Sequence, residues 1–318
     1  MAVSVVVVLG LATALAYGTS DFLGGLASRR GKSSLAVVAL FKLVVLAVFA
    51  AAIPVAGEAP ATAALQWGGI AGLAVGTGYI AYFRGLAVGR MGIVATLAAV
   101  WSALVPLVIG LALGERPTPL AWVGIMTIVV AIPLITYARE PAVDCRGWME
   151  RNRAALGRRN PADGAPSAIM GRAVARLRAS GVLEGTLAGI GFGLFFVALG
   201  QASEPGDPHA WALVAAAAGA AVVVGTVALV RRVAWRSALR QWPAILGAAL
   251  VYGAGSWAFI TAASLGWISI PAVVAALSPA PTMLLAWLLL GEALGARQIL
   301  GIAASLAGVA MVTLGLPA

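Results

Sequence analysis

The chain reads WSALVPLVIGLALGERPTPLAWVGI over residues 101–125 and SPAPTMLLAWLLLGEALGARQILGI over residues 278–302. In both stretches the tripeptide Leu-Gly-Glu ends an apolar run, and Gly-Ile follows about ten residues later. The stretches lie 177 residues apart, and the same spacing aligns residues 84–136 with residues 261–313 at 14 identical positions of 53. The chain therefore contains an internal repeat, which decides how its apolar segments are organised.

The composition excludes most classes of protein. Apolar residues make up 62% of the 318 residues and charged residues only 10%, whereas about a quarter of a soluble domain is charged. A soluble domain, a disordered chain and a nucleic-acid-binding module are excluded on this ground. The single cysteine and the single histidine exclude an intrachain disulfide and a multi-histidine site, so neither a metal nor a cofactor is expected.

Ten apolar runs follow one another along the chain, and each is close to the length of about 20 residues that a helix needs to cross a bilayer. We therefore predict an all-α polytopic membrane protein with ten transmembrane helices. The cuts at residues 89–92 and 264–269 are the least distinct, so eight or nine helices remain a competing count. The ten runs are 2–26, 34–56, 65–88, 93–113, 120–138, 182–200, 211–230, 243–263, 270–290 and 298–315.

Five runs fall in each half of the chain. Because five is an odd number, the second half must enter the membrane in the opposite orientation to the first. This predicts two inverted repeats, an arrangement typical of alternating-access transporters. The expected units are a first five-helix repeat at residues 1–138, a linker at 139–181 and a second five-helix repeat at 182–318.

The basic residues predict the orientation in the membrane. Nineteen of the 21 lysines and arginines lie in or beside the odd-numbered connections between runs, whereas the even-numbered connections hold only Arg116. Lysine and arginine are retained on the cytoplasmic side, so the odd connections should be cytoplasmic and both termini should face outward. The linker at 139–181 is interpreted as a basic cytoplasmic segment that sets this topology. A short helix on the anionic inner leaflet is the alternative.

Several short motifs carry a family resemblance. The first run contains Tyr17-Gly18-Thr19-Ser20, both halves contain Leu-Gly-Glu, and Ser278-Pro279 precedes the second copy of that tripeptide. Together these motifs resemble those of the drug/metabolite transporter superfamily, of the EamA type, although the first half has Trp101-Ser102 at the position of Ser278-Pro279. The resemblance implies that runs 1–4 and 6–9 form a basket around a central cavity, with runs 5 and 10 packed behind it.

The repeat and the resemblance together predict a secondary transporter rather than an enzyme. It would move a small organic metabolite or drug across the cytoplasmic membrane by alternating access. Its expected partners are the substrate and the lipid bilayer, with no nucleic acid, and it would be a monomer or a homodimer. An intramembrane enzyme that handles lipids and a non-transporting membrane scaffold are the alternatives.

Aromatic and hydroxyl side chains in the middle of the runs are candidates to line a substrate cavity, because ligand pockets favour aromatic walls with a few polar groups. Their alternative place is facing lipid. Trp101 beside Ser102 is the favoured pocket residue, since both lie in the middle of the fourth run. The candidate substrate-binding residues are Tyr17, Ser20, Tyr79, Tyr82, Trp101, Ser102, Phe192, Tyr252 and Trp257.

Two charged residues stand out because ionisable groups inside a membrane usually meet a partner or a wet cavity. Asp21 and Lys42 lie at similar depth on consecutive helices, which predicts an ion pair. Two alternatives stay open: Lys42 reaches the cytoplasmic face, or Asp21 carries a proton that drives transport. Arg84 is a second possible partner for Asp21.

Two further sets of residues have expected structural roles. Glu115 and Glu292 end corresponding helices at opposite membrane faces, so each is expected to cap the turn into the helix that follows it. Glycines at every fourth position let helix backbones approach closely. These glycines are Gly68, Gly72 and Gly76 in the third run and Gly185, Gly189 and Gly193 in the sixth.

Overall fold

The structure is a computed structural model that describes residues 2–30, 33–88, 91–136, 181–203, 209–291 and 295–315. Over these ranges the chain forms twelve α-helices and no β-strand. The helices are α1 (Ala2–Arg30), α2 (Ser34–Ala56), α3 (Thr62–Val88), α4 (Met91–Ala112), α5 (Pro119–Thr136), α6 (Val182–Gln201), α7 (His209–Val230), α8 (Trp235–Leu239), α9 (Trp242–Ala263), α10 (Ser269–Ala275), α11 (Pro279–Leu290) and α12 (Ala296–Gly315).

Nine of the ten apolar runs correspond to one helix each within a few residues, and the run at 34–56 coincides with α2. The two least distinct cuts are correct. Helix α3 ends at Val88 before α4 begins at Met91, and α9 ends at Ala263 before α10 begins at Ser269. Between α9 and α10 the chain reverses through Gly266 at φ 95°, a conformation that favours glycine because it has no Cβ.

The ninth run departs from expectation because it forms two helices, α10 and α11, rather than one. Pro279 has no backbone N–H, so it cannot donate to the carbonyl of Ala275. That carbonyl accepts instead from the backbone N–H of Ser278 at 3.0 Å, in a tighter turn. The apolar pattern continues through this break, which is why the pattern alone predicted a continuous helix.

The described helices confirm an all-α polytopic membrane protein. Eight segments are long and apolar enough to cross a bilayer, counting α10 and α11 together as one segment. Helix α5 is a shorter apolar helix, and α3 has 27 residues but is rich in glycine and tyrosine. The number of crossings therefore stands at eight by length and composition in the described ranges, and ten crossings remain a prediction.

Seven of these segments and α3 form a closed ring in which each packs against the next. The order around the ring is α1, α9, α2, α7, α3, α6, α4 and the α10–α11 segment, which returns to α1. Helices α5 and α12 pack against each other behind α4 and α10. This is the basket with two rear helices that the family resemblance implied.

Two buried clusters match this architecture. The larger cluster fills the ring with side chains from α1, α2, α3, α6, α7, α9 and α10. The second cluster lies at the rear and joins α5 and α12 to α1, α4 and α10. The ring interior is therefore built mainly by the six helices that alternate between the two halves of the chain.

The packing of the ring is nearly symmetric when the two halves are exchanged. Helix α3 packs along α6 as its counterpart α9 packs along α1, and α4 packs on α6 as α10 and α11 pack on α1. One pair departs from this symmetry, because α3 packs far more extensively on α7 than α9 packs on α2. The predicted linker at 139–181 lies almost wholly outside the described residues.

Candidate functional site

A buried lysine marks the centre of the ring. Lys42 on α2 is 1% exposed, and its ammonium group is surrounded by three aromatic rings. Its Nζ lies 4.3 Å from the ring centre of Tyr79, 4.4 Å from that of Tyr252 and 5.0 Å from that of Phe41. Aromatic faces attract a cation through their quadrupole, so these rings hold the ammonium group in place without neutralising its charge.

A cavity of about 10 Å³ lies beside Lys42, a volume close to that of one water-sized sphere. We call this space and the side chains around it the central chamber. The walls come from both halves of the chain and are mostly apolar, with Ser256 as a polar exception. They include Lys42, Val75, Phe195, Ala216, Tyr252 and Ser256.

A continuous series of aromatic rings crosses the ring of helices at the level of Lys42. On one side, Phe192 packs against Tyr79 at 5.1 Å and against Tyr82 at 6.0 Å between ring centres. On the other side, Tyr17 stacks on Tyr252 at 5.0 Å. Lys42 bridges the two groups through Tyr79 and Tyr252, so five of the predicted aromatic residues lie in one assembly.

The sequence motif at residues 17–20 has a structural explanation. Tyr17 shares a hydrogen bond of 3.1 Å with Ser256 on α9, which joins α1 to the chamber wall. Gly18 packs so closely on the break between α10 and α11 that a methyl group would overlap the carbonyl of Ser278. The hydroxyl of Thr282 donates to the Gly18 carbonyl at 2.8 Å. The two family motifs are therefore in contact, and Ser20 is buried one turn away.

Of the nine predicted substrate-binding residues, Tyr252 alone is among the residues that line this cavity. Tyr17, Tyr79, Tyr82 and Phe192 adjoin it through the aromatic assembly, whereas three others pack elsewhere. The Cβ of Trp101 faces Gly189 on α6, so Trp101 contributes to packing between α4 and α6. Ser102 donates to the carbonyl of Ala99 in its own helix at 2.9 Å. Trp257 packs at the edge of the larger buried cluster. In this conformation α6 covers that face of α4, so the assignment of Trp101 and Ser102 to the pocket stays a prediction.

The predicted contact pair between Asp21 and Lys42 is also absent. Among the described residues no carboxylate lies within 4.0 Å of the Lys42 ammonium, and Asp21 is exposed. Asp21 lies within electrostatic range of Lys42, although the two side chains are not in contact. The prediction failed because α9 packs between α1 and α2 in the ring, although these helices are consecutive in sequence.

Arg84 has a different partner from the one expected. Its Nε lies 3.8 Å from Oε1 of Glu184 on α6, and the side chains of Arg84 and Glu184 are 71% and 8% exposed. The second carboxylate oxygen of Glu184 is buried without a hydrogen-bond partner among the described residues. Sequence reasoning missed Glu184, although its position as the only acid in the first turn of α6 was visible.

Two other carboxylates connect the halves. Glu115 accepts from the backbone N–H groups of Ile268 and Ser269 at 2.6 and 3.2 Å, and also from the Ser269 hydroxyl. It therefore caps the start of α10 rather than the turn into α5, which corrects the expected partner. Glu58, which the sequence did not single out, accepts from the N–H of Ala210 at 2.8 Å at the start of α7.

The equivalent glutamate of the second half, Glu292, lies outside the described residues. The glycines before these glutamates are described in both halves. Gly114 has φ 103° and Gly291 has φ 68°, a left-handed conformation that commonly ends a helix. The repeated tripeptide thus ends α4 and α11 in the same way.

The glycine stripes are helix contacts. Gly68, Gly72 and Gly76 face α7, and a methyl group at Gly72 would overlap the backbone of Ala216. The other stripe, Gly185, Gly189 and Gly193, faces α4. A third close contact joins Gly78 of α3 to Gly191 of α6. Each helix contributes one glycine to this contact, so no repeat of glycine at every fourth residue predicted it from the sequence.

The arrangement can bind a small molecule. Within the described ranges no group of three metal-ligating side chains occurs. The chamber combines one buried cation, aromatic faces and hydroxyl groups in an apolar enclosure, which is how small-molecule sites obtain affinity and orientation.

Comparison with known proteins agrees with this architecture. Residues 179–314 match the EamA-like transporter family. A solved structure described only as "Crystal structure of protein" is similar over 98% of this chain and 97% of its own length, with a TM-score of 0.70 and 17% sequence identity, which shows the fold alone. No curated protein matches the sequence significantly. The family match over residues 179–314 supports the resemblance to the drug/metabolite transporter superfamily that the sequence motifs carry.

Proposed function

We propose that this protein is a secondary transporter that moves a small organic metabolite across the cytoplasmic membrane by alternating access. The observation that carries the proposal is the ring of eight segments, drawn from both halves, around a chamber with a buried lysine and aromatic walls. An ionisable residue inside a membrane protein marks a substrate or ion pathway by default. The family match supports transport of the drug/metabolite type.

The unequal packing of α3 on α7 and of α9 on α2 suggests a mechanism for alternating access. In an inverted repeat, the second conformation is obtained when the two halves exchange their packing. We infer that the extensive contact between α3 and α7 loosens in the second conformation while the contact between α9 and α2 tightens. By the charge-based topology the start of α7 faces outward, so the present conformation is closed on the outer side by α3, α7 and Glu58.

Transport by the purified protein in sealed liposomes tests this proposal. Vesicles would be loaded with unlabelled candidates and challenged with the same compounds in labelled form, with and without a pH gradient. We expect saturable exchange of at least one compound, because a carrier binds its substrate on both sides. Protein-free vesicles are one control. Folded protein that gives no exchange for amino acids, organic acids, sugars or organic cations would contradict the proposal and favour the scaffold or the enzyme.

A further inference from the structure

We propose that the central chamber recognises the carboxylate of an organic anion and that Lys42 is the group that binds it. This inference rests on the proposed transport function and names its substrate class. The remainder of the ligand would be apolar or aromatic, because the chamber walls are mostly apolar and include Phe195 and Tyr252.

The first argument is the state of the charge on Lys42. Its side chain is 1% exposed and no carboxylate contacts its ammonium group among the described residues. A buried charge without a contact partner is strongly unfavourable, and the three aromatic rings offset only part of that penalty. The cavity beside Lys42 holds about one water-sized sphere in this conformation, so a ligand enters when the chamber widens in another conformation. Its carboxylate would then supply the missing contact, and such charge-assisted hydrogen bonds are among the strong ones.

The second argument comes from the repeat. If the spacing of 177 residues that aligns residues 84–136 with 261–313 is continued to α2, the position that corresponds to Lys42 is Gly219 on α7, and Gly219 packs against Gly72. The same position of the fold can therefore be built without a charge. Lys42 is thus an addition to one half rather than a requirement of the ring, which argues for a role in recognition.

The third argument concerns the other charge in electrostatic range. Asp21 is exposed and acts on Lys42 without touching it. Its negative charge opposes the entry of an anion and attracts a cation. If Lys42 is the recognition group, removal of the Asp21 charge should strengthen the binding of a carboxylate. If Asp21 is the recognition group for a cation, the same change should weaken the binding of an amine.

The test uses three probes that share one apolar body and differ only in the head group: phenylacetate, phenylacetamide and phenethylamine. Binding to the purified full-length protein in detergent would be measured by titration calorimetry, with thermal stabilisation as a second readout. We expect phenylacetate to bind at least about tenfold more tightly than phenylacetamide, and phenethylamine to bind more weakly than either. Equal binding of the acid and the amide, tighter binding of the amine, or binding of none of the three would overturn the proposal.

Single substitutions test whether the preference for the acid depends on Lys42. Lys42→Met should remove the preference for the acid, and Asp21→Asn should strengthen acid binding several-fold. Arg297→Met is the matched control, because it also removes one positive charge but is exposed at the start of α12, behind the ring, and it should keep the wild-type preference. Lys42→Gln is a second neutral variant in case Lys42→Met does not fold. A folded neutral variant that still prefers the acid would overturn the assignment to Lys42.

Binding in detergent does not depend on transport, so the two proposals can fail separately. Acid-selective binding without exchange in liposomes would contradict the transport function and keep the anion site. Saturable exchange of neutral or cationic compounds, with no selectivity for the acid, would keep the transport function and overturn the substrate class.

Discussion

At the scale of single residues, the carboxylates divide into those that hold the fold and those that act on the chamber. Glu115 and Glu58 each accept backbone N–H groups at the start of a helix in the other half. Such groups have no partner within their own helix, and a negative charge there is also favoured by the helix dipole. These two glutamates therefore connect the halves, whereas Asp21 acts on the charge of Lys42.

Removal of the Glu115 carboxylate should weaken the contact between the halves. Glu115→Ala leaves the N–H groups of Ile268 and Ser269 without this acceptor, so we expect a loss of about 1–3 kcal/mol in the free energy of unfolding. Glu115→Gln keeps one carbonyl acceptor and should lose less. Thermal unfolding in detergent would measure both. An unfolding temperature of Glu115→Ala equal to that of the wild type would show that water replaces the cap.

The pair formed by Arg84 and Glu184 gives a second prediction. Arg84→Met removes the partner of a carboxylate that is largely buried, so it should lower the unfolding temperature. The additional change Glu184→Gln removes the stranded charge and should recover part of the loss. The double variant is compared with each single variant in the same thermal assay. Strictly additive losses would mean that the two side chains do not interact.

At the scale of helices, the contacts across the ring are made by glycine stripes. Two of these contacts, α3 with α7 and α6 with α4, are so close that the backbone of one helix meets the glycine face of the other. Without side chains between them, such helices can also change their relative position with few steric obstacles. The same residues thus serve close packing and the proposed movement of the halves.

Bulky replacements in the stripes should separate the helices. Gly72→Leu and Gly189→Leu would overlap Ala216 on α7 and Ala98 on α4, so we expect loss of folded protein or of exchange in liposomes. Overpacking of this kind typically costs about 1–3 kcal/mol or more. Gly69→Leu is the matched control, since a methyl group at Gly69 meets nothing within 4 Å. Yield would be measured by size-exclusion chromatography. Normal yield and exchange for both stripe variants would contradict a role for these contacts.

At the scale of the whole molecule, the distribution of charge orients the protein. The positive charge is concentrated on the odd-numbered connections, and the glutamate caps at α7 and α10 lie on the opposite side by the same topology. The net charge of +10 is therefore the basis of the predicted orientation of the chain in the membrane.

The orientation is open to a direct test with the native cysteine. Cys145 lies in the basic linker, which the asymmetry of lysine and arginine assigns to the cytoplasm. In intact cells it should resist a membrane-impermeant maleimide and should react after the cells are permeabilised. A variant with Cys145→Ser and Glu58→Cys is the control, since position 58 should face outward and be labelled without permeabilisation. Rapid labelling of Cys145 in sealed cells would reverse the assigned orientation.

The sequence by itself determined the helices and the class of the protein. Apolar length, glycine and charge clusters predicted nine helices within a few residues, because crossing a bilayer requires a fixed length of apolar chain. The repeated Leu-Gly-Glu and Tyr17-Gly18 carried the family resemblance, and these residues meet local requirements for a left-handed turn and a close helix contact. The aromatic candidates Tyr17, Tyr79, Tyr82, Phe192 and Tyr252 were also found from sequence.

Only the tertiary structure decided which charged groups meet. A helix that is apolar on all sides has no periodicity to show which face points inward, so neither the aromatic enclosure of Lys42 nor the covered position of Trp101 was visible in the sequence. The order of helices in the ring follows from packing between the halves, and it places α9 between α1 and α2. That position of α9 separates Asp21 from Lys42, whereas the packing of α6 on α3 brings Glu184 to Arg84 and the packing of α10 on α4 brings Glu115 to the start of α10. Such contacts join segments that are distant in the chain, so they leave no mark on local sequence.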